Sequence, residues 1–400
     1  MDSLEPTLLI VPLLAVLAPL LARGLSRWVR VPIVVFELLL GMIVGPDILG
    51  WAHPHEFLAT LSQLGLAMLF FVAGSEIEFA VFRGRTGRNA IVGWLVSIGV
   101  GVGLGWLIAP GEEAIIIGIA LSSTALGTIL PFLRDSGELK TPFGRATSAV
   151  GAVGEFGPLI AISIFLGGRQ PGVSTIVLAL YAAIAALAIG LAFKLPRGAM
   201  HRFVNASLHT SGQFAIRVVL CILAVLLSVS IFLDLDILLG AFTAGIVWRL
   251  IMRDADESDR EAVESKVEAV AFGFLVPMFF LYTGLTFDLN ALLAQPVLFL
   301  LIPVVLVVLL VVRGLPSTLA APEGSTIRDR ASLALFGATA LPIIVAVTAI
   351  GIDQKILSSS NAALLVGAGM LSVLLFPFLA ATIRGERKAL TAQPVEDDLA

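Results

Sequence analysis

One acidic side chain lies in the middle of a long apolar run, and its position points to chemistry more strongly than that of any other residue. Glu155 has no other ionisable residue within nine positions on either side. A carboxylate at the centre of a membrane-spanning helix costs about 2.5 to 3.5 kcal/mol on insertion scales, so such an acid marks an ion or proton pathway by default. The competing interpretation is an acid that packs helices together through a neighbouring hydroxyl. We favour a site where Glu155 holds either a proton or a monovalent cation.

Two other apolar runs are interrupted by hydroxyl groups, glycines and prolines. Ser123 and Thr124 lie in the first run, and Thr339 lies in the second. Such runs break readily, and half-helix ends near the membrane midplane present backbone partial charges to an ion. The alternative is that small and hydroxylated residues serve helix packing. We therefore take these three residues as candidate ion-binding residues that accompany Glu155.

Arg313 is the second informative charge, because the run 292–322 is otherwise almost entirely apolar. If this run is buried, the guanidinium must pair with a carboxylate or with half-helix carbonyls; the alternative is snorkelling to the interface. Glu37 lies about a third of the way across its own apolar run, where structural and functional interpretations stay open. Glu78 and Asp288 are weaker candidates, since they lie near the ends of apolar runs, close to water.

The composition determines the elements that must position these residues. Hydrophobic residues make up 58% of the chain, charged residues make up 14%, and the mean hydropathy is +1.02. Such a chain is an all-α polytopic membrane protein rather than a water-soluble one. Apolar segments long enough to cross the bilayer recur along its length. We predict about thirteen transmembrane helices, near 7–22, 31–50, 60–82, 90–109, 113–133, 144–167, 173–193, 213–232, 234–250, 267–287, 293–315, 331–352 and 359–382.

The lysines and arginines between these segments predict the orientation. They accumulate on one side of the predicted membrane, with 23 on that side and only Arg169 and Lys355 on the other. Positive charge collects on the cytoplasmic side of short loops. We therefore expect a multi-pass protein of the cell (inner) membrane with its N-terminus outside and its C-terminus inside. Residues 1–383 form the membrane transport domain, and 384–400 form a short cytoplasmic tail.

Short matches between the two halves of the chain predict an internal repeat. Each matched pair is separated by seven predicted spans, so its members cross the membrane in opposite directions, as in many secondary transporters. We place repeat one at about 31–193 and repeat two at about 234–382, with spans 1 and 8 as accessory helices. The matched segments are 70–79 with 279–289, 123–126 with 338–341, and 40–45 with 239–245.

Four motifs resemble a known family. They are the glycine and proline pattern at 41–50, the hydroxyl run at 122–125, Gly144–Arg145, and the segment 277–289. Jointly they resemble the monovalent cation/proton antiporter superfamily in its sodium/hydrogen exchanger membrane domain, in a Kef-like branch without the cytoplasmic nucleotide-binding domain. The resemblance implies thirteen helices, a crossed pair of broken helices at spans 5 and 12, a homodimer, and an elevator-like movement of a core domain.

The resemblance also implies a pair of ion-binding side chains in span 6, and this chain departs from that pattern. The usual pair is Asn-Asp, Asp-Asp or Gln-Asp, whereas the chain has Gly154 and Glu155. The basic residue that the family carries in span 11 matches Arg313, which would serve as the charge partner.

These observations together predict a function without covalent chemistry. The expected activity is an antiport of protons for Na⁺ or K⁺ by alternating access, electroneutral if Arg313 stays charged. A cation channel or a transporter of small organic acids remains as an alternative. An enzyme is least favoured, because no predicted span contains a histidine or a metal cluster. The expected partners are monovalent cations, protons and the lipid bilayer, with no cofactor and no nucleic acid.

Overall fold

The computed structural model describes residues 4–25, 32–77, 82, 84–166, 171–194, 214–252 and 257–384. Within these ranges the ordered elements are helices and no strand is present. In chain order the helices are α1 (Leu4–Leu25), α2 (Ile33–Val44), α3 (Glu56–Ser75), α4 (Gly84–Ile108), α5 (Glu112–Ser122), α6 (Leu126–Asp135), α7 (Pro142–Phe165), α8 (Pro171–Lys194), α9 (Phe214–Phe232), α10 (Ile237–Ile251), α11 (Glu257–Val270), α12 (Val276–Leu285), α13 (Leu289–Ala294), α14 (Val297–Leu309), α15 (Ile327–Gly337), α16 (Pro342–Asp353) and α17 (Ser359–Arg384).

Many of these helices are long and apolar enough to cross a bilayer. The described residues contain ten candidate membrane spans of at least 18 residues. Three further apolar helices are shorter, at Ile33–Val44, Pro171–Leu187 and Ile237–Ile251. The predicted all-α polytopic membrane fold is therefore confirmed, whereas the number of thirteen spans stays a prediction.

The chain divides into two compact units that alternate along the sequence. The first unit takes its described residues from Met1–Glu78, Phe156–Leu301 and Val345–Leu364, and the second from Phe79–Glu155, Ile302–Ile344 and Leu365–Ala400. Each unit thus draws on both predicted repeats. The tail predicted at 384–400 lies outside the described residues apart from Arg384.

Close backbone contacts hold the first unit together. Helix α2 packs on α12, and α3 packs on α10 and α12. A β-carbon at Gly41 would collide with the carbonyl of Leu281, and one at Gly284 would collide with the carbonyl of Leu38. Small residues at such crossings let membrane helices approach until their backbones touch. The glycine in each helix therefore sets the distance between α2 and α12.

Two helix interruptions lie in the second unit. Helix α5 ends at Ser122 and α6 begins at Leu126, with Ser123 in an extended conformation between them. The second interruption covers residues 338–341, between α15 and α16. Both breaks fall in the runs where hydroxyl groups, glycines and prolines predict them, so the predicted pair of broken helices is confirmed.

A polar cluster joins the ends of several helices in the second unit. The guanidinium of Arg384, at the end of α17, donates to Asp329 at 2.7 Å and to Glu138 at 2.8 Å. It also lies 3.6 Å above the centre of the Phe143 ring. These contacts connect α17 to the start of α15, to the start of α7 and to the segment that precedes α7.

Candidate ion-binding site

Glu155 lies in α7 with only 4% of its surface exposed. Its Oε1 accepts a hydrogen bond from the backbone N–H of Leu126 at 2.8 Å. Leu126 is the first residue of α6, where backbone N–H groups lack partners within the helix and the helix end carries a partial positive charge. The carboxylate therefore caps the half-helix that begins at the first break.

The two preceding N–H groups of the first break also have partners outside their own helix. The N–H of Thr124 donates to the carbonyl of Gly154 at 2.9 Å, and that of Ala125 donates to the carbonyl of Thr339 at 2.7 Å. Unwound backbone inside a membrane protein is stable only when protein groups or water satisfy it. Helix α7 and the second break together supply these partners, so the first break is held from both sides.

Arg313 is fully buried and lies in a π-helical turn, Leu310–Gly314, that follows α14. Its Nε donates to the hydroxyl of Thr124 and its Nη2 donates to the carbonyl of Val150, each at 2.8 Å. The Thr124 hydroxyl in turn donates to the carbonyl of Gly337 at 2.6 Å. These contacts do not fit a side chain that snorkels to the interface. The guanidinium is instead a buried cation that joins α7 to the first break.

The remaining hydroxyl candidates donate within their own helices. The Ser123 hydroxyl donates to the carbonyl of Ala120 at 2.7 Å, and the Thr339 hydroxyl donates to that of Leu335 at 3.0 Å. Both side chains are fully buried. With its proton committed to a carbonyl, each oxygen keeps its lone pairs for a cation. Their role as neutral cation ligands stays a prediction.

The other predicted acids lie elsewhere. Glu37 is 5% exposed and belongs to α2 in the first unit. Asp288 is exposed and caps α13, where it accepts a hydrogen bond from the N–H of Ala291 at 2.8 Å. Glu78 falls outside the described residues. The second unit therefore contains Glu155, Arg313 and the three hydroxyl candidates, whereas Glu37 and Asp288 belong to the first unit.

Sequence reasoning missed one side chain that supports the second break. The hydroxyl of Ser372, in α17, accepts a hydrogen bond from the N–H of Ala340 at 3.0 Å and lies 2.9 Å from the carbonyl of the same residue. Ser372 is fully buried. The signal in the sequence is a lone hydroxyl in an apolar run, but many such serines only bond to their own helix.

The fold and the site define a class of protein. Two interrupted helices from opposite halves of the chain meet, and each break partly satisfies the backbone of the other. The first break is also bonded to a buried carboxylate and a buried guanidinium. Discontinuous helices paired in this way form the substrate sites of secondary transporters built from inverted repeats.

Comparison with known proteins gives the family. The family described as "Sodium/hydrogen exchanger, transmembrane" matches residues 13–382, and the chain belongs to it. This is a family of transporters rather than enzymes. The Na(+)/H(+)-K(+) antiporter GerN of Bacillus cereus is 27% identical over 290 residues, which cover 69% of this chain and 71% of GerN. The Na(+)/H(+) antiporter of Enterococcus hirae is 26% identical over 301 residues, 72% of this chain and 75% of that protein.

A solved structure has a similar fold. The sodium proton antiporter MjNhaP1 from Methanocaldococcus jannaschii superposes with a TM-score of 0.67 at 15% identity, covering 94% of this chain and 96% of that one. Some relatives are longer. A Bacillus subtilis (strain 168) protein that is 26% identical over 333 residues matches 78% of this chain, and that match spans 52% of its own length.

Proposed function

We propose that this protein is a secondary antiporter that exchanges protons for a monovalent cation, Na⁺ or K⁺, by alternating access. The observation that carries the proposal is the carboxylate of Glu155, buried in α7 and bonded to the N–H of Leu126 at the start of a half-helix. A single carboxylate can hold a proton or a monovalent cation but not both. The names of relatives such as GerN, a Na(+)/H(+)-K(+) antiporter, support this cargo.

In this mechanism Glu155 is the shared site. When it releases its proton, the carboxylate binds a cation, with the oxygens of Ser123 and Thr339 available as further ligands. When it takes up a proton, its negative charge disappears and the cation leaves. Exposure of the loaded site to one side of the membrane and then the other produces exchange. The proposal involves transported ions and no cofactor.

The exchange is electroneutral if Arg313 keeps its proton throughout the cycle. One cation then replaces one proton at Glu155, and no net charge crosses the membrane. The test is to compare exchange rates in proteoliposomes clamped at different membrane potentials. Equal rates support one-for-one exchange, whereas a current during exchange contradicts it.

The decisive experiment replaces the shared carboxylate. Addition of Na⁺, K⁺ or Li⁺ to acid-loaded proteoliposomes should raise the fluorescence of an internal pH dye with the native protein. The Glu155→Gln variant should fold and give no response, because its amide cannot exchange a proton in this range. Flux retained by that variant would remove Glu155 from the proposal. Cation flux without proton movement would indicate a channel, and no response to any cation would favour an organic-acid transporter.

The membrane placement and assembly are also proposals. The distribution of basic residues supports an inner-membrane protein with its N-terminus outside and its C-terminus in the cytoplasm. A reporter fused to each terminus tests this orientation. The resemblance to the superfamily supports a homodimer, which cross-linking in native membranes would test.

A further inference from the structure

Gly154 occupies the position where the resemblance implies the first polar side chain of an ion-binding pair, and the structure shows what fills that space. A β-carbon at residue 154 would collide with the hydroxyl oxygen of Thr124, and it would lie 2.5 Å from Nη2 of Arg313 and 2.5 Å from the β-carbon of Thr124. Both separations are far shorter than a van der Waals contact of about 3.5 to 4.0 Å. The guanidinium thus lies directly against the α-carbon of Gly154.

Neither neighbour can move away without losing hydrogen bonds. The guanidinium is fully buried and donates to the Thr124 hydroxyl and to the Val150 carbonyl. Thr124 is held by its own N–H on the Gly154 carbonyl and by its hydroxyl on the Gly337 carbonyl. Displacing either group would leave buried polar atoms without partners, which costs about 1–3 kcal/mol for each atom. The contact around Gly154 is therefore rigid.

Nearby glycines have different surroundings. For a β-carbon at Gly151, one turn earlier in α7, the three nearest atoms would all belong to the side chain of Leu126, and the first of them is Cδ1 at 2.6 Å. That methyl group is the far end of a flexible side chain and can rotate. A β-carbon at Gly127 in α6 would meet no atom within 4 Å. Gly151 and Gly127 thus provide matched comparisons for Gly154.

We infer that Gly154 is a positioning residue of the ion site, because its missing side chain is what allows the Arg313 guanidinium to lie against the backbone of α7 at the residue before Glu155. In this chain a fixed cation takes the place of the neutral or acidic side chain that the resemblance implies. The site then consists of one exchangeable carboxylate and one permanent positive charge. This inference deepens the proposed antiport and rests on it for its effect on transport.

A double-mutant cycle tests the inference. Gly154→Ala, Arg313→Lys and the double variant are compared with the native protein by melting temperature in detergent and by cation-dependent proton flux. Lysine lacks Nη2, so it removes the shortest contact between residues 154 and 313. We expect Gly154→Ala alone to lower flux at least about tenfold, since a displacement of the order of 1 Å disrupts a pre-organised site. We expect Gly154→Ala to lower the melting temperature markedly less when residue 313 is lysine.

Two other glycine variants serve as controls. Gly127→Ala should change neither readout, and Gly151→Ala should change flux by less than about threefold, because leucine rotamers adapt at little cost. The apparent cation affinity and the pH profile of flux should shift in Gly154→Ala, which loss of folded protein alone would not produce.

If the losses of melting temperature in Gly154→Ala and Arg313→Lys simply add in the double variant, the inference is overturned. A Gly154→Ala variant that behaves like Gly151→Ala would also overturn it. Failure of Gly154→Ala to fold in both backgrounds would also overturn it, because the glycine would then serve only the approach of Thr124. The melting temperatures need no transport. A native protein without cation-dependent proton flux would therefore contradict the proposed function, and the melting temperatures of the double-mutant cycle would still test the role of Gly154.

Discussion

The carboxylate of Glu155 accepts a 2.8 Å hydrogen bond from the backbone N–H of Leu126, so the acid that would bind the cargo also caps a half-helix. Protonation or cation binding changes the charge of that cap. A helix N-terminus favours an anion by about 0.3–1 kcal/mol, and by up to ~2 kcal/mol in partly buried geometries. The loading state of Glu155 is therefore coupled energetically to the first break.

Substitutions at Glu155 should separate transport from stability. Glu155→Gln keeps an oxygen that can accept from Leu126 N–H, so its melting temperature should stay close to the native value while exchange disappears. Glu155→Asp is shorter by one methylene and should lose this bond, at about 1–3 kcal/mol for the buried N–H, while it keeps a titratable group. Its exchange should persist with weaker apparent cation affinity. An aspartate variant that is as stable as the native protein and binds the cation as tightly would contradict the capping role.

The Thr124 hydroxyl should matter for its hydrogen bonds rather than its bulk. Thr124→Val keeps the shape but removes the acceptor for Arg313 Nε, and bonds to charged groups contribute about 1.5–3 kcal/mol. Thr124→Ser retains the hydroxyl and should be much closer to native. Thermal unfolding in detergent and proton flux measure the two effects. A larger loss in Thr124→Ser than in Thr124→Val would assign the role to the methyl group instead.

Ser372 should stabilise the second break. Ser372→Ala leaves the N–H of Ala340 without its acceptor, which should cost about 1–3 kcal/mol. Ser332→Ala is the matched control, since the buried Ser332 hydroxyl donates to the Ala380 carbonyl, which lies inside a regular helix. Ser332→Ala should therefore lower the free energy of unfolding by less than Ser372→Ala does. Chemical or thermal unfolding compares the two serines, and a larger cost at Ser332 would refute the assignment.

The Arg384 cluster should be more stabilising than an exposed ion pair. Arg384→Gln removes hydrogen bonds to Asp329 and Glu138, whose side chains, like that of Arg384, are only 20–29% exposed. We expect a loss of about 1–2 kcal/mol that shrinks at high salt, because Debye screening acts on partly exposed charges. Arg85→Gln breaks an exposed pair with Glu323 and should change stability by less than about 1 kcal/mol. Melting temperatures at low and high ionic strength test both, and equal effects would argue against the cluster.

The sequence predicts the membrane fold and the positions of the broken helices well, because both depend on local composition. Apolar length defines the spans, and the hydroxyl groups and prolines around Thr124 and Thr339 mark the breaks. Glu155 stands out for a similar local reason: its charge has no nearby partner along the chain. These signals require no knowledge of which helices touch.

The contacts that complete the site cannot be predicted in this way. Arg313, in a π-helical turn, lies against Gly154, and neither residue marks that encounter in the sequence. Backbone carbonyls such as those of Val150 and Gly337 act as acceptors whatever their side chains are. Ser372 resembles many serines that bond only to their own helix. Such partners are defined by tertiary packing between segments far apart in the chain.

The link between the two breaks has a consequence for synthesis in the cell. Thr124 and Gly337, which are joined by a hydrogen bond, are 213 residues apart in the chain. At about 5–20 residues per second, the ribosome needs roughly 10 to 40 seconds to make the second after the first. Glu155, only 29 residues beyond Leu126, emerges much sooner. We therefore expect contacts made by α7 to keep the first half of the protein packed while the second half is still being synthesised. Pulling-force measurements on stalled nascent chains can detect this packing. Glu155, the residue that would carry the ion, would then first stabilise the partly synthesised protein during membrane insertion.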